Sequence, residues 1–350
     1  MRPRLPAAAF AALIAATVPA RAEVPAVVTD IAPVHSLVAQ VMGDLGAPVL
    51  LLDRGADPHS FQLRPSQAAA LSGADLVFWV GPELTPWLDR ALQGTGNTGT
   101  AVSLLRVEGV TLRSYAGGEG EDHDDHADAH NHEAARAHDD HGHDHGHDHG
   151  QAEAEAHEGH DDDHDHDHAG EGHDHAHEGT DPHAWLDPAN ARAWLIAVAG
   201  RLAEADPANA ATYAANAEAA RARIDALDAE LRAALAPMAG RPLFVFHDAY
   251  GYLAAAYGLT IAGTIAGGDA AAPGARRLAD LRATLARTPE ACLFAEANHD
   301  PAYVEAIAAE TGLRTATLDP AGTELDPGPD LYAAMMRALA EGIAGCAAGG

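Results

Sequence analysis

Three histidines in this chain share a setting that could do metal chemistry. His59 lies in Gly55-Ala56-Asp57-Pro58-His59-Ser60-Phe61, and His183 in Asp181-Pro182-His183-Ala184-Trp185-Leu186-Asp187. His247 directly follows the apolar run Leu243-Phe244-Val245-Phe246. Each reads as a strand-to-helix junction, and in open α/β sheets such ends face the ligand crevice. One strand-end histidine is more often a hydrogen-bonding or surface residue than a ligand; three in matching settings point to a shared metal. Asp319, in Leu318-Asp319-Pro320, closes the last strand-like run and offers a carboxylate oxygen. Three imidazoles and one carboxylate make a tetrahedral set that suits Zn²⁺. His35 and His299 fall in or just before a helix and read as surface residues.

The remaining eighteen of the 23 histidines lie between His123 and His177, in runs such as His141-Gly142-His143-Asp144-His145. The segment from Gly117 to Thr180 has almost no apolar residues, so it cannot offset its ordering entropy and is expected to be disordered. Alternating imidazole and carboxylate is a good supply of ligands for borderline metals, with no geometry to choose among zinc, nickel, copper and cobalt. A solvated acidic linker is the plainer reading, and the histidine content argues against it. More than half of the formal charge of −31 comes from this segment. Outside it the chain is moderately acidic, which disfavours nucleic acid as a partner.

The elements that must position these residues alternate. Val24 to Thr29, Val49 to Leu52 and Asp75 to Val80 read as strands, with helices from about Val34 to Met42 and from Ser66 to Ser72. Two helices follow the histidine-rich segment, opening at Asp187-Pro188 and Asp206-Pro207, where Asp can cap and Pro fits the first turn. In the second, Tyr213, Ala217, Ala220, Ile224, Leu227, Leu231 and Leu235 recur every three or four positions, out to about Ala236. That is a rod of roughly 45 Å. Strands then resume at Leu243 to Phe246, Leu259 to Ile265, Ala291 to Ala295 and Arg314 to Leu318, with helices around Tyr250, Leu278, Val304 and Met335. The rhythm predicts an α/β fold with two lobes of mostly parallel sheet joined by one long rigid helix. The corresponding boundaries are 23–206 for the first lobe (holding the disordered His/Asp-rich loop 117–180), 207–236 for the linking helix, and 237–350 for the second lobe. A cleft between lobes is where ligands preferentially bind.

Residues 1–22 carry the marks of a cleaved signal peptide. Arg2 and Arg4 precede an apolar, alanine-rich stretch, and Ala20-Arg21-Ala22 fits a cleavage site. The stretch is too short for a membrane span. No cysteine lies nearby to take a lipid, so a free periplasmic protein is expected. In an exporting context Cys292 and Cys346 are expected to form a disulfide, worth roughly 3–4.7 kcal/mol on the chain-entropy model. Two zinc-ligating thiolates are the alternative, and they would need further cysteine or histidine nearby.

At these residues the chain resembles the zinc-binding component of bacterial zinc ABC importers, the ZnuA-like group of metal receptors. The resemblance rests on Gly55 to Ser66, Ala74 to Gly81, Asp181 to Pro188, Phe246 to Tyr252 and Leu318-Asp319-Pro320, and it covers essentially the whole mature chain. It implies a site between two lobes joined by a rigid helix, with His59, His183 and His247 as the three histidine ligands and Asp319 as the fourth. It also implies a disulfide between Cys292 and Cys346, seen in some members. Related manganese receptors carry Glu where this chain has His247, and an imidazole there favours zinc. Some zinc receptors place Glu directly before the first ligand histidine; here that residue is Pro58.

The expected function is capture of periplasmic Zn²⁺ and its delivery to an inner-membrane ABC permease, with the histidine-rich loop as a secondary zinc-binding segment. No enzymatic activity is expected, the protein is expected to be a monomer, and an auxiliary metallochaperone is a possible loader. Two other classes remain open. One is a periplasmic metal buffer or chaperone in which the loop is the whole function. The other is a zinc-dependent hydrolase, which needs an open metal position and a general base; no His-Glu-x-x-His motif supplies one.

Overall fold

The computed structural model describes residues 24–115, 179–266 and 273–346. The signal segment 1–22 and nearly all of the histidine-rich loop 117–180 lie outside the described residues. Both sheets described below belong to one packed unit.

The first sheet holds β1 (Val27–Thr29), β2 (Val49–Leu50), β3 (Leu76–Trp79) and β4 (Thr100–Ser103), all parallel, in the order β2-β1-β3-β4. The second holds β5 (Pro242–Val245), β6 (Thr260–Thr264), β7 (Cys292–Glu296) and β8 (Arg314–Leu318), also parallel, in the order β6-β5-β7-β8. The two orders are the same, so each sheet has its switch in strand order at the same place. The central strands β3 and β7 are buried at every residue, as their unbroken apolar runs require when both faces are covered. The edge strands β4 and β6 are partly exposed and carry Thr, Ala, Ser or Gly. Sequence patterning found seven of these strands and missed β4, whose Thr-Ala-Val-Ser carries little hydrophobic signal. It also missed α3 (Pro86–Gly94), which opens on a proline like α2 (Pro65–Ser72).

The helices join the two sheets into one body. α4 (Pro188–Ala205) is capped by Asp187, whose Oδ1 accepts the Ala189 amide at 2.8 Å. α5 (Ala210–Leu235) follows after one turn of 3₁₀ helix. Its buried residues are the same seven whose spacing marked the helix in sequence: Tyr213, Ala217, Ala220, Ile224, Leu227, Leu231 and Leu235. At 26 residues it is a rod of about 39 Å. It packs against α1 (Ala32–Met42) beside the first sheet and against α9 (Leu331–Gly345) beside the second. Asn216 donates to the Val41 carbonyl at 3.0 Å, and Arg337 pairs with Glu230 at 2.9 Å.

α1 and α9 also touch each other. Ser36 Oγ accepts the Tyr332 amide and donates to the Pro329 carbonyl, both at 3.0 Å. One continuous apolar core therefore runs from Val27 to Ile343, under both sheets. A smaller core, with Phe246, Ile265, Leu281, Leu293 and Val304, fills the far face of the second sheet. It lies beneath α7 (Ala275–Leu285) and α8 (Ala302–Thr311). Cys292 and Cys346 form the disulfide, tying the first residue of β7 to the end of α9. Among the described residues no helix is long and apolar enough to cross a membrane.

Candidate metal centre

The loop after β2 carries His59 and the segment just beyond β5 carries His247, whereas His183, expected at a strand end, follows no strand among the described residues and instead precedes a 3₁₀ turn at Ala184–Leu186. His59 and His183 both sit in Asp-Pro-His tripeptides, and both are built the same way. The Asp57 carboxylate accepts the His59 amide at 2.9 Å, and the Asp181 carboxylate accepts the His183 amide at 2.9 Å. These are Asx turns, which fix the backbone while proline limits the residue between. The His59 loop is held further by Trp87 on α3, whose indole N–H donates to the Pro58 carbonyl at 2.8 Å. Proline at position 58 thus offers its carbonyl to the scaffold. The His183 turn is clamped by Tyr252 on α6 (Gly251–Tyr257), whose hydroxyl donates to the Asp181 carbonyl and accepts the Arg113 amide, both at 2.9 Å. Gly251 allows this approach, because a Cβ there would come within 3.0 Å of Asp181 Oδ2.

His247 lies two residues beyond β5 and is 4% exposed; His183 is 2% exposed. Each is aimed by a carboxylate on its Nδ1: Asp181 at 2.8 Å for His183, and Glu296 at 2.7 Å for His247. An acceptor on Nδ1 fixes the ring's tautomer and leaves Nε2 unprotonated and facing inward, the usual support for a metal-ligating histidine. The two inward Nε2 atoms are 3.4 Å apart. A tetrahedral zinc with bonds of 2.0–2.1 Å holds its ligand nitrogens roughly 3.3 Å apart. That spacing is already in place. His59 completes the group, its ring centroid 5.6 Å from that of His183 and 6.1 Å from that of His247. One ligand atom from each of the three falls within a single 4.8 Å cluster.

Asp319 lies outside that cluster. Its carboxylate turns into its own loop, accepting Thr323 Oγ1 at 3.2 Å and the Glu324 amide at 2.9 Å. Of the two residues read as surface, His35 is buried and His299 half-buried. His35 is 8% exposed on α1, and burial lowers its pKa. His299 lines the same small cavity as the three histidines and stacks on Phe246 at 4.2 Å, with the rings 17° from parallel. Burial lowers its pKa too, opposed by the Glu296 carboxylate. Both were missed because helical context says which end of an element a residue occupies, and not which neighbour covers it.

Sequence reasoning also passed over the two orienting carboxylates. Asp181 had a local signal, since the Asp-Pro-His tripeptide occurs twice. Glu296 had one as well: a charge closing the apolar run Ala291 to Ala295. It is 2% exposed, and Tyr250 donates to its other oxygen at 3.1 Å. That hydroxyl's pKa is pushed well above 10 by burial and by the adjacent Glu296 charge.

A family model for the periplasmic component A of the zinc-uptake complex, ZnuA, matches residues 27–346. The chain belongs to this family. It is 52% identical over 337 residues to the high-affinity zinc uptake system protein ZnuA of Paracoccus denitrificans strain Pd 1222, covering 96% of each chain. To the protein of the same name from Brucella abortus strain 2308 it is 40% identical over 322 residues, covering 91% of each. Among solved structures, the periplasmic zinc-binding protein TroA from Treponema pallidum shares the fold, with a TM-score of 0.66 at 18% identity. That match covers 92% of this chain and 98% of the other. ZnuA-family members are periplasmic zinc-uptake components, so zinc is the ligand and an ABC transporter the partner.

Proposed function

We infer that this chain captures zinc in the periplasm on His59, His183 and His247 and presents it to an ABC-type importer in the inner membrane. The observation that carries the reading is the pair of inward Nε2 atoms 3.4 Å apart, each braced from behind by a buried carboxylate. In this reading water fills the fourth position, because Asp319 lies outside the three-histidine cluster and its carboxylate is held by Thr323 and Glu324. The chain is exported by a signal peptide cleaved near residue 22, acts as a monomer, and accepts zinc with or without an auxiliary metallochaperone. Its histidine-rich segment, 117–180, is a secondary zinc-binding region on the strength of its composition. Imidazoles ligate only when unprotonated, so zinc affinity falls as the pH drops.

A hydrolytic role finds little support. Glu296, the carboxylate beside the centre, accepts from His247 and Tyr250 and so orients a ligand instead of facing a metal-bound water.

Zinc titration calorimetry on the full chain and on a His59→Ala/His183→Ala/His247→Ala variant tests the reading. One tight event is expected to disappear in the variant while weaker binding persists. Identical isotherms would place all binding in segment 117–180 and leave a buffer, not a receptor.

A further inference from the structure

His299 is the part of the cavity that the three-histidine centre leaves unexplained, and Glu296 stands between it and His247. Burying a carboxylate is costly unless cationic or hydrogen-bonding partners compensate it. Glu296 is 2% exposed, and no lysine or arginine is paired with it among the described residues. Its Oε2 lies 2.7 Å from His247 Nδ1 and 3.6 Å from His299 Nε2. The His299 ring is fixed by its stack on Phe246, with its centroid 5.9 Å from that of His247. One ligand atom from each of His247, Glu296 and His299 falls within a second 4.8 Å cluster, distinct from the first and sharing only His247 with it.

We propose that Glu296, His299 and the Nδ1 side of His247 form a second zinc position beside the three-histidine centre, filled in alternation with it. Two imidazoles and a carboxylate are an ordinary zinc set, with water as the fourth ligand. The separations of 2.7 and 3.6 Å lie on either side of the roughly 3.3 Å that a tetrahedral zinc imposes, so small side-chain shifts are enough.

Alternation follows from the proton count on His247. A neutral imidazole carries one proton. While Nε2 ligates in the first position, that proton sits on Nδ1 and is donated to Glu296. When Nδ1 ligates in the second, the proton must sit on Nε2, which withdraws that nitrogen from the first. The second position is therefore a staging point that zinc occupies before or after the three-histidine centre. The alternation rests on the reading of His59, His183 and His247 as zinc ligands; the second cluster's geometry does not.

The test is crystallographic, on the full chain grown with zinc chloride and mapped by anomalous scattering at the zinc edge. A His59→Ala/His183→Ala variant removes the first position and leaves the second intact. A zinc peak is expected within bonding distance of His299 Nε2 and Glu296. Its occupancy is expected to fall at least tenfold when His299→Phe is added. Should the alanine pair not fold, His59→Gln/His183→Gln keeps the polarity and approximate size of both side chains. No peak beside His299 in the double variant, with wild-type zinc still on the three histidines, would overturn the proposal and leave the main reading standing. Wild-type crystals with no zinc on His59, His183 and His247 would sink the main reading instead, and the double variant would still decide the second position.

Discussion

Asp30 and Glu296 stand at the carboxyl ends of central strands in sheets of identical order, and they tie corresponding strands together by different means. Asp30 follows β1 and accepts the amides of Ile31 and of Val80, which follows β3, both at 2.8 Å. Glu296 ends β7 and accepts His247, two residues beyond β5. In the first sheet the link runs from side chain to backbone and makes a fixed wall. In the second it runs from side chain to side chain, and the group it holds has a second nitrogen to offer. A shared topology thus supplies the same location twice, and only the second copy is equipped with an imidazole. The first lobe contributes its ligand, His59, from a loop further out.

The largest effect is expected from the disulfide, which only the second sheet has. It pins the amino end of β7, the strand whose carboxyl end is Glu296. Closing a loop of 54 residues is worth roughly 4 kcal/mol on the chain-entropy model. Urea unfolding of zinc-free Cys292→Ala/Cys346→Ala should show a loss of about that size, with tight zinc binding retained at moderate urea-free temperatures. A large loss of zinc affinity in the folded variant would mean that the bond also sets the position of Glu296.

Asp30 comes next. Burial raises its pKa to about 7, opposed by its backbone hydrogen bonds. The folded state therefore holds this proton more tightly than the unfolded chain, whose aspartates titrate near 3.8. The group's contribution is fully present below that value and is lost as pH rises through about 7. Asp30→Asn does not titrate, and it leaves one buried amide facing an NH₂ group, at a cost of about 1–3 kcal/mol. The stability gap between wild type and variant should thus be wider at pH 5 than at pH 8, with tight zinc binding unchanged at pH 8. A gap that stays constant with pH would show an ordinarily titrating Asp30.

Much of this was legible from the sequence, and the boundary is physical. β8 and the buried face of α5 were read residue for residue, because helix and strand periodicities are local. His59, His183 and His247, which the structure brings together, were singled out because metal ligation demands a residue type, and two of them repeat a tripeptide. Glu296 and Asp30 were not singled out, and His299 was read as a surface residue. Their roles depend on which loops meet across 46 to 50 residues, and a buried carboxylate leaves no periodicity behind. Asp319 was expected to ligate from its strand-end position; its carboxylate accepts Thr323 and Glu324 and lies outside the three-histidine cluster.

Glu296→Gln sharpens the comparison from the site's side. It keeps the shape and one acceptor but removes the charge that braces His247. Carboxylates behind a ligating histidine typically contribute 10–100-fold in metal affinity. Tight-site affinity measured against a competing chelator should fall by about that factor, which is about 1.4–2.7 kcal/mol. Asp181→Asn should do the same through His183, whereas Asp30→Asn should not. An unchanged affinity in Glu296→Gln would make Glu296 a structural residue like its counterpart in the first sheet.

The smallest effect on zinc is expected at Asp319. Its carboxylate holds a loop that the first lobe grips from the other side: Arg54 donates to the Glu324 carbonyl and pairs with Asp326 at 2.8 Å. That pair is exposed, Asp326 being 92% accessible, so Arg54→Ala should cost no more than about 1 kcal/mol. Asp319→Asn retains an acceptor for Glu324 and should change tight-site affinity by less than about threefold if water is the fourth ligand, whereas loss of a direct ligand would exceed the 10–100-fold typical of outer supports. A fall of that larger size would mean that zinc draws Asp319 away from Thr323 and Glu324. The loop under Arg54 would then loosen on loading, and the contact between the lobes would report whether the site is full.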